Sequence, residues 1–598
     1  MLGTWLVEHN IITEDELTRA LKSQLSGGGR LGDILIASGA TTPLKLYQAI
    51  ATHYQLPFMD LLKEGWDKQD MHVDYLHDYI DLRLLPIGKV PGTGVMRIAT
   101  SEPMDPKVKQ FCYARYPKGI EMVVTSPFDI RRTIEQQFSH TITDESLFRL
   151  ADLMPEHSAR YRLSPVQITI LLLLLAAFAA SNYTHSYETA AISLLTAHLL
   201  YLITLSFKML IFCAGLRPTH YTEPVAPLLD KDLPNFTLLV PLYKEANMVA
   251  NLMQSLAAID YPPQKLDIKL ILEADDQETY MAAIQLKPSY QFDIIRVPPS
   301  EPRTKPKACN YALAFAKGDI ITIFDAEDIP DPNQLRKVAH MFDAAPTDVT
   351  TIQAKLRYYN ADKNLLTRFF DIEYTILFEH LLKGLERLGM PIPLGGTSNH
   401  INAQRFREMG DWDPYNVTED ADLGIRFASA GYKTQMVDST TMEEAPPHLG
   451  GWMRQRSRWI KGHIQTWLVH SRSPLKLLRT TGIRGFIGFT LFLGLPYFLY
   501  LTALPILALS LLWVYYDMFD DILPQALSAL MAFNFMMFLA VNWLQAWWAY
   551  RREKKNRLAW LAIALFPTYW ILHIFTSFKS LWQLLFNPFY WEKTEHGE

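Results

Sequence analysis

Five apolar blocks constrain this chain more than any other feature. Pro165–Ala180, Ala190–Gly215, Ile487–Tyr515, Gln525–Tyr550 and Leu558–Phe586 read as helices of the length and composition that a bilayer demands. They bracket a central block, residues 233–470, whose apolar runs are too short to span and alternate with helical patterns. Hydrophobic residues are 49% of the chain, concentrated in those blocks. At 598 residues the chain exceeds one core, and about three or four units are expected. The net charge of −5 carries no basic excess, so nucleic acid is not an expected partner. Cys112, Cys213 and Cys309 lie too far apart for a disulfide framework or a zinc site.

Charge asymmetry orients the blocks. The connector Ser181–Thr189 has no Lys or Arg, whereas Arg160, Arg162 and Arg217 flank the outer ends of the first two blocks. The N-terminus lacks a signal peptide's basic start and long apolar core, so the first segment is expected in the cytoplasm with the central block. Asp517, Asp520 and Asp521 suggest an outer loop, and Arg551–Arg557 is the strongest cytoplasmic marker. Residues 139–164 read as a polar linker, and Ile464–Leu478 as an interfacial amphipathic helix. Five simple crossings would leave the C-terminal tail outside. We expect an even number and a cytoplasmic tail, with Ile487–Tyr515 (Pro496, Pro505) or Leu558–Phe586 (Pro567) departing from a simple crossing.

In the central block Phe236–Val240, Ile268–Leu272, Ile294–Val297 and Asp319–Phe324 read as strands of a doubly wound α/β sheet. Such sheets bind ligands at strand carboxyl ends. There stand Tyr243-Lys244-Glu245, Glu273-Ala274-Asp275-Asp276 and Asp325-Ala326-Glu327-Asp328. Buried carboxylates at a strand end require a cation or a turn that uses them. Both readings of Asp325–Asp328 stay open on this stretch alone.

Residues 1–53 contain a repeat. Leu2-Gly3 and Leu31-Gly32 lie 29 positions apart, followed by helical patterns at Leu17, Leu21, Gln24 and at Leu46, Ile50, His53. Glycine permits close approach of a planar or phosphate ligand, and Arg30 can stack on a base. Paired helical hairpins with a leucine core explain the pattern equally well. The 24-residue length and five-residue spacer resemble the MshEN domain, with Met1 in place of its first arginine, Asn10 for a glycine, Ala40-Thr41 for a leucine pair and His53 for a glutamine. The resemblance continues to about Phe138. It implies an α+β domain binding cyclic di-GMP through Leu2, Gly3, Leu17, Leu21, Gln24, Arg30, Leu31, Gly32, Leu46, Ile50 and His53.

The central block resembles family 2 glycosyltransferases of the processive membrane kind, which include cellulose, chitin and hyaluronan synthases. Matching segments run in order: Val240–Glu245, Asp275-Asp276, Lys307-Ala308-Cys309-Asn310, Asp325–Asp328, Gly395–Ser398, Thr418-Glu419-Asp420 and Gln455–Trp459. The resemblance implies a GT-A α/β domain followed by a helical transmembrane region. Pro241, Tyr243, Glu245, Asp275, Asp276 and Lys307 would bind the donor nucleotide, probed first as a UDP-sugar. Asp325 with Glu327 or Asp328 would hold Mg²⁺ or Mn²⁺. Asp420 would be the general base beside Glu419, with Gln455, Arg458 and Trp459 completing the catalytic set. Gly396 and Thr397 would line the acceptor site, and Trp591, Lys593 and Thr594 would belong to a gating tail.

The expected function is an inverting, processive transferase of the bacterial inner membrane. It would polymerise an activated sugar into a β-linked exopolysaccharide, under cyclic di-GMP control and with possible export partners. The alternatives are single-sugar transfer to a lipid phosphate and a non-catalytic cyclic di-GMP receptor that scaffolds export.

Overall fold

The structure is a computed structural model that describes residues 2–217, 228–286, 292–515, 522–551 and 557–593. Met1, Asp517, Asp520, Asp521 and Thr594 lie outside the described residues, as do 552–556 of the basic run.

The N-terminal repeat folds as two helical hairpins, Leu2–Glu8 with Glu14–Gly27 and Leu31–Ala37 with Pro43–His53. Both hairpins use the same devices 29 residues apart. Thr13 and Thr42 cap the second helices. A Cβ on Gly3 would stand 2.7 Å from Leu17, and one on Gly32 would stand 3.0 Å from Leu46. Asn10 and Gly39 both turn through positive φ, 56° and 75°. Asn is among the few residues that accept this conformation, so the exchange of glycine for Asn10 leaves the turn intact. A three-stranded sheet follows, β1 (Leu84–Lys89), β2 (Met96–Thr100) and β3 (Ile120–Val124), in order β1-β2-β3.

Helix Pro127–Leu153, kinked at Phe138, then carries the chain onto the central domain. Here the expected linker is corrected. Residues 139–153 are helical because Ile142, Leu147, Leu150 and Ala151 form a buried stripe against their neighbours. Arg131 reaches Asp293 at 2.7 Å, and the side-chain amide of Asn310 donates to the Ser146 carbonyl at 3.1 Å. One apolar core runs from Leu84 and Ile98 through Ile130 and Ile134 to Ile271 and Ile321, so the two domains share a core.

The described residues of the central domain form eight strands: β4 (Phe236–Leu242), β5 (Leu266–Glu273), β6 (Phe292–Val297), β7 (Ile320–Ile323), β8 (Ile329–Pro330), β9 (Val349–Tyr358), β10 (Asn399–Asn402) and β11 (Lys433–Glu443). Their order is β6-β5-β4-β7-β10-β9-β11-β8. The β4–β7 half is parallel, as a doubly wound sheet requires. Antiparallel β10, inserted between β7 and β9, makes the whole sheet mixed. Strands β9, β10 and β11 went unseen in the sequence because they are rich in Thr, Gln, Asn and Lys rather than in apolar residues.

Among the described residues five helices are long and apolar enough to cross a membrane. Pro165–Thr184 and Ser186–Gly215 form a hairpin whose outer ends both return to the central domain. Gln167 donates to the Leu468 carbonyl at 2.8 Å, and Gly215 and Gly384 let two helix backbones cross where a Cβ on either would strike a carbonyl of the other helix. Leu495–Tyr515 leaves the domain and Ile522–Ala549 comes back to it, with Tyr550 bonding Asp371.

Arg557–Phe586 behaves differently. It runs unbroken through Pro567 and lies along helix Leu449–His470. The Trp452 indole donates to Tyr569 at 2.9 Å, the Ser580 hydroxyl donates to the Ser457 carbonyl at 3.0 Å, and Lys461 donates to the Tyr590 carbonyl at 2.8 Å. Ala562, Phe566, Tyr569, His573, Ser577 and Ser580 form its buried face. Leu561, Leu565, Phe575, Phe578, Trp582 and Leu585 form an exposed apolar face at helical spacing. The expected amphipathic helix Ile464–Leu478 is also corrected. Helix Leu449–His470 ends there, and Pro474 starts a second helix that kinks at Gly482 (φ 69°). Proline at a first turn begins helices rather than continuing them.

Candidate active site

A cavity of about 700 Å³ opens at the carboxyl ends of β4, β5 and β7 and continues between the long apolar helices. Its outer wall carries Pro241 in β4, Tyr243 and Glu245 after it, Glu273 on β5, and Asp325 and Glu327 after β7. Gly396, Thr397, Glu419 and Asp420 form the floor, and Gln455, Arg458 and Trp459 close one side. The inner end is aromatic: Phe492, Tyr497, Tyr500, Phe566 and Trp570, with His573, Glu373 and Lys208.

Packing explains how distant segments meet. Helix Leu449–His470 sits on Thr418 through Gly462, where a Cβ would collide with the threonine side chain. That contact brings Gln455, Arg458 and Trp459 beside Glu419 and Asp420. Trp459 stacks on Tyr374 (5.9 Å between ring centroids, 29°), and the Arg456 guanidinium lies 4.7 Å from the centroid of the Trp459 ring. Arg456 forms two hydrogen bonds to Glu373, which also accepts from the Tyr569 hydroxyl at 2.9 Å. Arg456, Glu373 and Tyr569 thus tie the Gln455–Trp459 segment to the C-terminal helix; spacing alone carried no signal for them.

Several expected residues stand elsewhere than the sequence implied. Lys307 is fully buried on Glu273 (2.8 Å) and does not line the cavity. The cavity lysine is Lys305, bonded to Asp325 and donating to the Gly396 carbonyl at 2.7 Å. Residues two apart on a helix face nearly opposite ways, so only one of the pair can point inward. Asp276 is the N-cap of helix Gln277–Gln285 and also accepts the Lys244 N–H. Asp275 pairs with Arg303 at 2.8 Å, and Arg303, a cavity residue, donates to the Tyr243 hydroxyl at 3.1 Å. Asp328 turns inward. It accepts the Asp325 N–H at 2.7 Å and the Thr397 hydroxyl.

The tail reaches this site. Trp591 lies under the Arg458 guanidinium (4.3 Å), Glu592 accepts from Ser457 at 3.2 Å, and Lys593 donates to the Tyr243 and Lys244 carbonyls and stands 3.6 Å from Glu245.

The electrostatics are those of a cation-seeking pocket. Burial and the charges of Asp325 and Glu245 push Glu327 well up. Burial, then Asp325 and Glu327, do the same to Asp328, and burial with Asp328 to Glu443. Asp328 Oδ1 is buried without a hydrogen-bond partner. Asp325 and Glu327 on the wall therefore fit a hard divalent ion, whose oxygen shell a diphosphate and water would complete. Among the described residues no three His, Cys, Asp or Glu side chains make a ready cage. Burial raises Asp420 to about 6, against the lowering effect of its own backbone hydrogen bonds, Lys305 and Arg458. Glu419 is raised by burial and by the charge of Asp420.

The messenger-type positions are also in view. Leu2, Leu17, Leu31, Leu46 and Ile50 pack in the repeat's own core, Leu21 is exposed, and Gln24 donates to the Gly29 carbonyl at 2.9 Å. Arg30 pairs with Glu102 and lies 3.8 Å from Asp105. His53 packs edge-on to Trp5.

Residues 234–462 match the model of the "Glycosyltransferase like family 2" family. A probable glycosyltransferase YdaM of Bacillus subtilis is 28% identical over 255 residues, 42% of this chain and 60% of that one. Beta-monoglucosyldiacylglycerol synthase of Synechocystis is 26% identical over 258 residues (42% and 53%). Cellulose synthase 1 catalytic subunit (UDP-forming) of Komagataeibacter xylinus is 24% identical over 289 residues (46% and 37%). The chain thus spans well under two thirds of these relatives. Among solved structures, the mannosyltransferase PcManGT from Pyrobaculum calidifontis with GDP-Man and Mn²⁺ is 19% identical, covering 66% of this chain and 99% of that one at a TM-score of 0.45. MshE with cdg is 31% identical, covering 23% and 97%, at a TM-score of 0.21. With a mixed α/β sheet that presents carboxylates at its strand ends and the family match over the same residues, the centre of this chain is a family 2 glycosyltransferase domain.

Proposed function

We propose that the chain is an inverting, processive glycosyltransferase of the bacterial inner membrane that builds a β-linked polysaccharide and is activated by cyclic di-GMP at residues 1–138. The observation that carries this reading is the single cavity that joins the strand-end carboxylates, Asp420 and the Gln455–Trp459 segment to aromatic residues of the membrane helices. A growing chain would leave the catalytic centre along that path.

The donor would seat its nucleoside against Pro241, Tyr243 and Arg303, with its diphosphate toward Lys305 and Arg458. Mg²⁺ or Mn²⁺ held by Asp325 and Glu327 would supply charge neutralisation for the departing diphosphate. Asp420 would accept the proton of the acceptor hydroxyl as that oxygen attacks the anomeric carbon, which inverts the anomer. Its raised affinity for protons suits that task. Trp459 would hold the terminal sugar by its flat face. Trp591 and Lys593 would cover the donor, with Thr594 beyond them. Helices Pro165–Thr184, Ser186–Gly215, Leu495–Tyr515 and Ile522–Ala549 would make four crossings, and Arg557–Phe586 would lie in the interface with its apolar face on lipid. Cyclic di-GMP would compete with Glu102 for Arg30, and its signal would pass along helix Pro127–Leu153. The polymer's export partners would meet the outer side.

The similarity to monoglucosyldiacylglycerol synthases favours a second reading, transfer of one sugar to a lipid. Product length decides. Vesicles containing the chain, given a panel of labelled nucleotide sugars with UDP-sugars first, should yield a polymer. Cyclic di-GMP should stimulate it in the wild type and not in Arg30→Ala. A product carrying one sugar on lipid would replace the processive reading, and messenger binding without turnover of any donor would leave only a receptor.

A further inference from the structure

A second cavity, about 280 Å³, lies away from the catalytic one. Three segments meet there: the turn Met154–His157 that follows the bridging helix, Arg426–Ala430 of the central domain, and the break between Val469 and Thr480 where one helix ends and the next begins. Its basic lining is Arg426, Arg472, Lys476, His157 and His470. The acidic groups facing them are already engaged. Asp422 accepts from Arg426 at 3.0 Å and bonds His470 Nε2 at 2.9 Å, and Glu156 pairs with Lys476 at 3.2 Å.

What remains is a set of buried nitrogens with no partner. His157 Nδ1, His470 Nδ1 and Arg426 Nε are buried and have no hydrogen-bond partner, and all three side chains line the cavity. The His470 side chain is 1% exposed and that of Arg426 is 0% exposed. The unmade hydrogen bond of the Arg426 Nε–H is costly, and a ligand with acceptor oxygens would satisfy it; the two Nδ1 atoms would join as donors in the imidazolium form, which a neighbouring anion favours. The 16-residue helix Pro474–Phe489 begins at this cavity, so its positive end adds to the same preference. Arg472 meanwhile donates to the carbonyls of Glu156 and Ser158 at 3.0 Å, holding the turn against the helix break. The helix that opens the site presents Leu475 and Ile483, 68% and 72% exposed, on its outer side, as a segment on a bilayer surface does.

We infer that this cavity binds a phosphate group, and that the phosphate is presented by an anionic lipid headgroup at the membrane surface. Bound there, the headgroup would join the turn from the N-terminal domain, the central domain and the first C-terminal membrane helix at one point. This is independent of the donor chemistry proposed above.

The test uses the full chain in phosphatidylcholine nanodiscs, with thermal unfolding and native mass spectrometry as readouts. One arm adds phosphatidylglycerol to the discs and the other adds inorganic phosphate to the buffer. Stabilisation and retained lipid in the first arm are expected. Lys476→Gln, a change at a solvent-exposed side chain, and His157→Phe/Lys476→Gln should weaken the apparent affinity about tenfold or more. Arg479→Gln, on the same helix but off the cavity wall, should not. A response to inorganic phosphate alone, lost in the same variants, would keep the site and assign it to a soluble ligand. No response in either arm, or an equal loss in Arg479→Gln, would overturn the site and leave a water-filled cavity.

Discussion

The catalytic cavity has two ends that are built from opposite materials. At the sheet end, carboxylates of Asp325, Glu327, Glu443 and Glu245 are gathered around Lys305, and burial drives protons onto Glu327 and Glu443. At the membrane end, Tyr497, Tyr500, Phe566 and Trp570 present rings, and the charge of Glu373 is already answered by Arg456 and Tyr569. The first end is crowded with carboxylates; the second offers flat apolar surface. A diphosphate with a divalent ion suits one, and a neutral sugar face suits the other. Asp420 lies between them, with Gly396 beside it.

Removing the base should erase the contrast most completely. Asp420→Asn should lower turnover by about 10²–10⁴-fold while donor binding, measured by calorimetry, stays near wild type. Its protonation should also set the acid side of the rate profile. Only the deprotonated base works, so kcat/KM should fall about tenfold per pH unit below about 6 rather than below the ordinary range near 4. An acid limb near 4 would remove Asp420 from that role.

Next in size is the pair of lysines. Lys307→Met breaks a buried ion pair and should destabilise the fold by about 3–5 kcal/mol, read as a lower unfolding midpoint. Lys305→Met should instead weaken donor and metal dependence with a smaller change in melting. The reverse pattern would return the donor role to Lys307.

Smaller effects should divide the two ends. Trp459→Ala should raise the KM for acceptor by about tenfold or less, with donor affinity unchanged. Lys593→Ala removes a partly exposed contact worth about 0.2–1 kcal/mol, so it should change donor affinity only a few-fold. Equal effects on donor and acceptor from either variant would mean that the cavity does not divide as described.

Much of the site was legible because its residues sit immediately after apolar strands. Tyr243–Glu245 and Asp325–Glu327 could be found that way without knowing how the strands pair. Other positions could not. Glu443 lies at the end of β11, whose Lys433–Glu443 run offers no apolar pattern. Arg303 follows a loop rather than a strand, and Glu373 looked like any polar position on an amphipathic helix. The repeat was legible down to its caps and turns, since Thr13 and Thr42, Gly3 and Gly32, and Asn10 and Gly39 recur at one spacing.

By itself the sequence determined the order of parts: a duplicated helical hairpin unit, an α/β domain with acidic strand ends, and long apolar helices on both sides of it. Local side-chain chemistry is enough for that, because caps, strand periodicity and apolar length act over a few residues. Tertiary structure alone decided which of two neighbouring lysines faces the cavity, that Asp328 turns inward to the Asp325 N–H and Thr397, and where the last apolar helix runs. Ser186–Gly215 and Arg557–Phe586 are both 30 residues long and similarly apolar. One meets the central domain at its C-terminal end, through Ile211 and Gly215, and the other lies on it from Tyr569 to Ser580. An apolar side chain is equally satisfied by lipid or by a protein core, so composition cannot separate the two paths; only the partners that the fold brings to each face can.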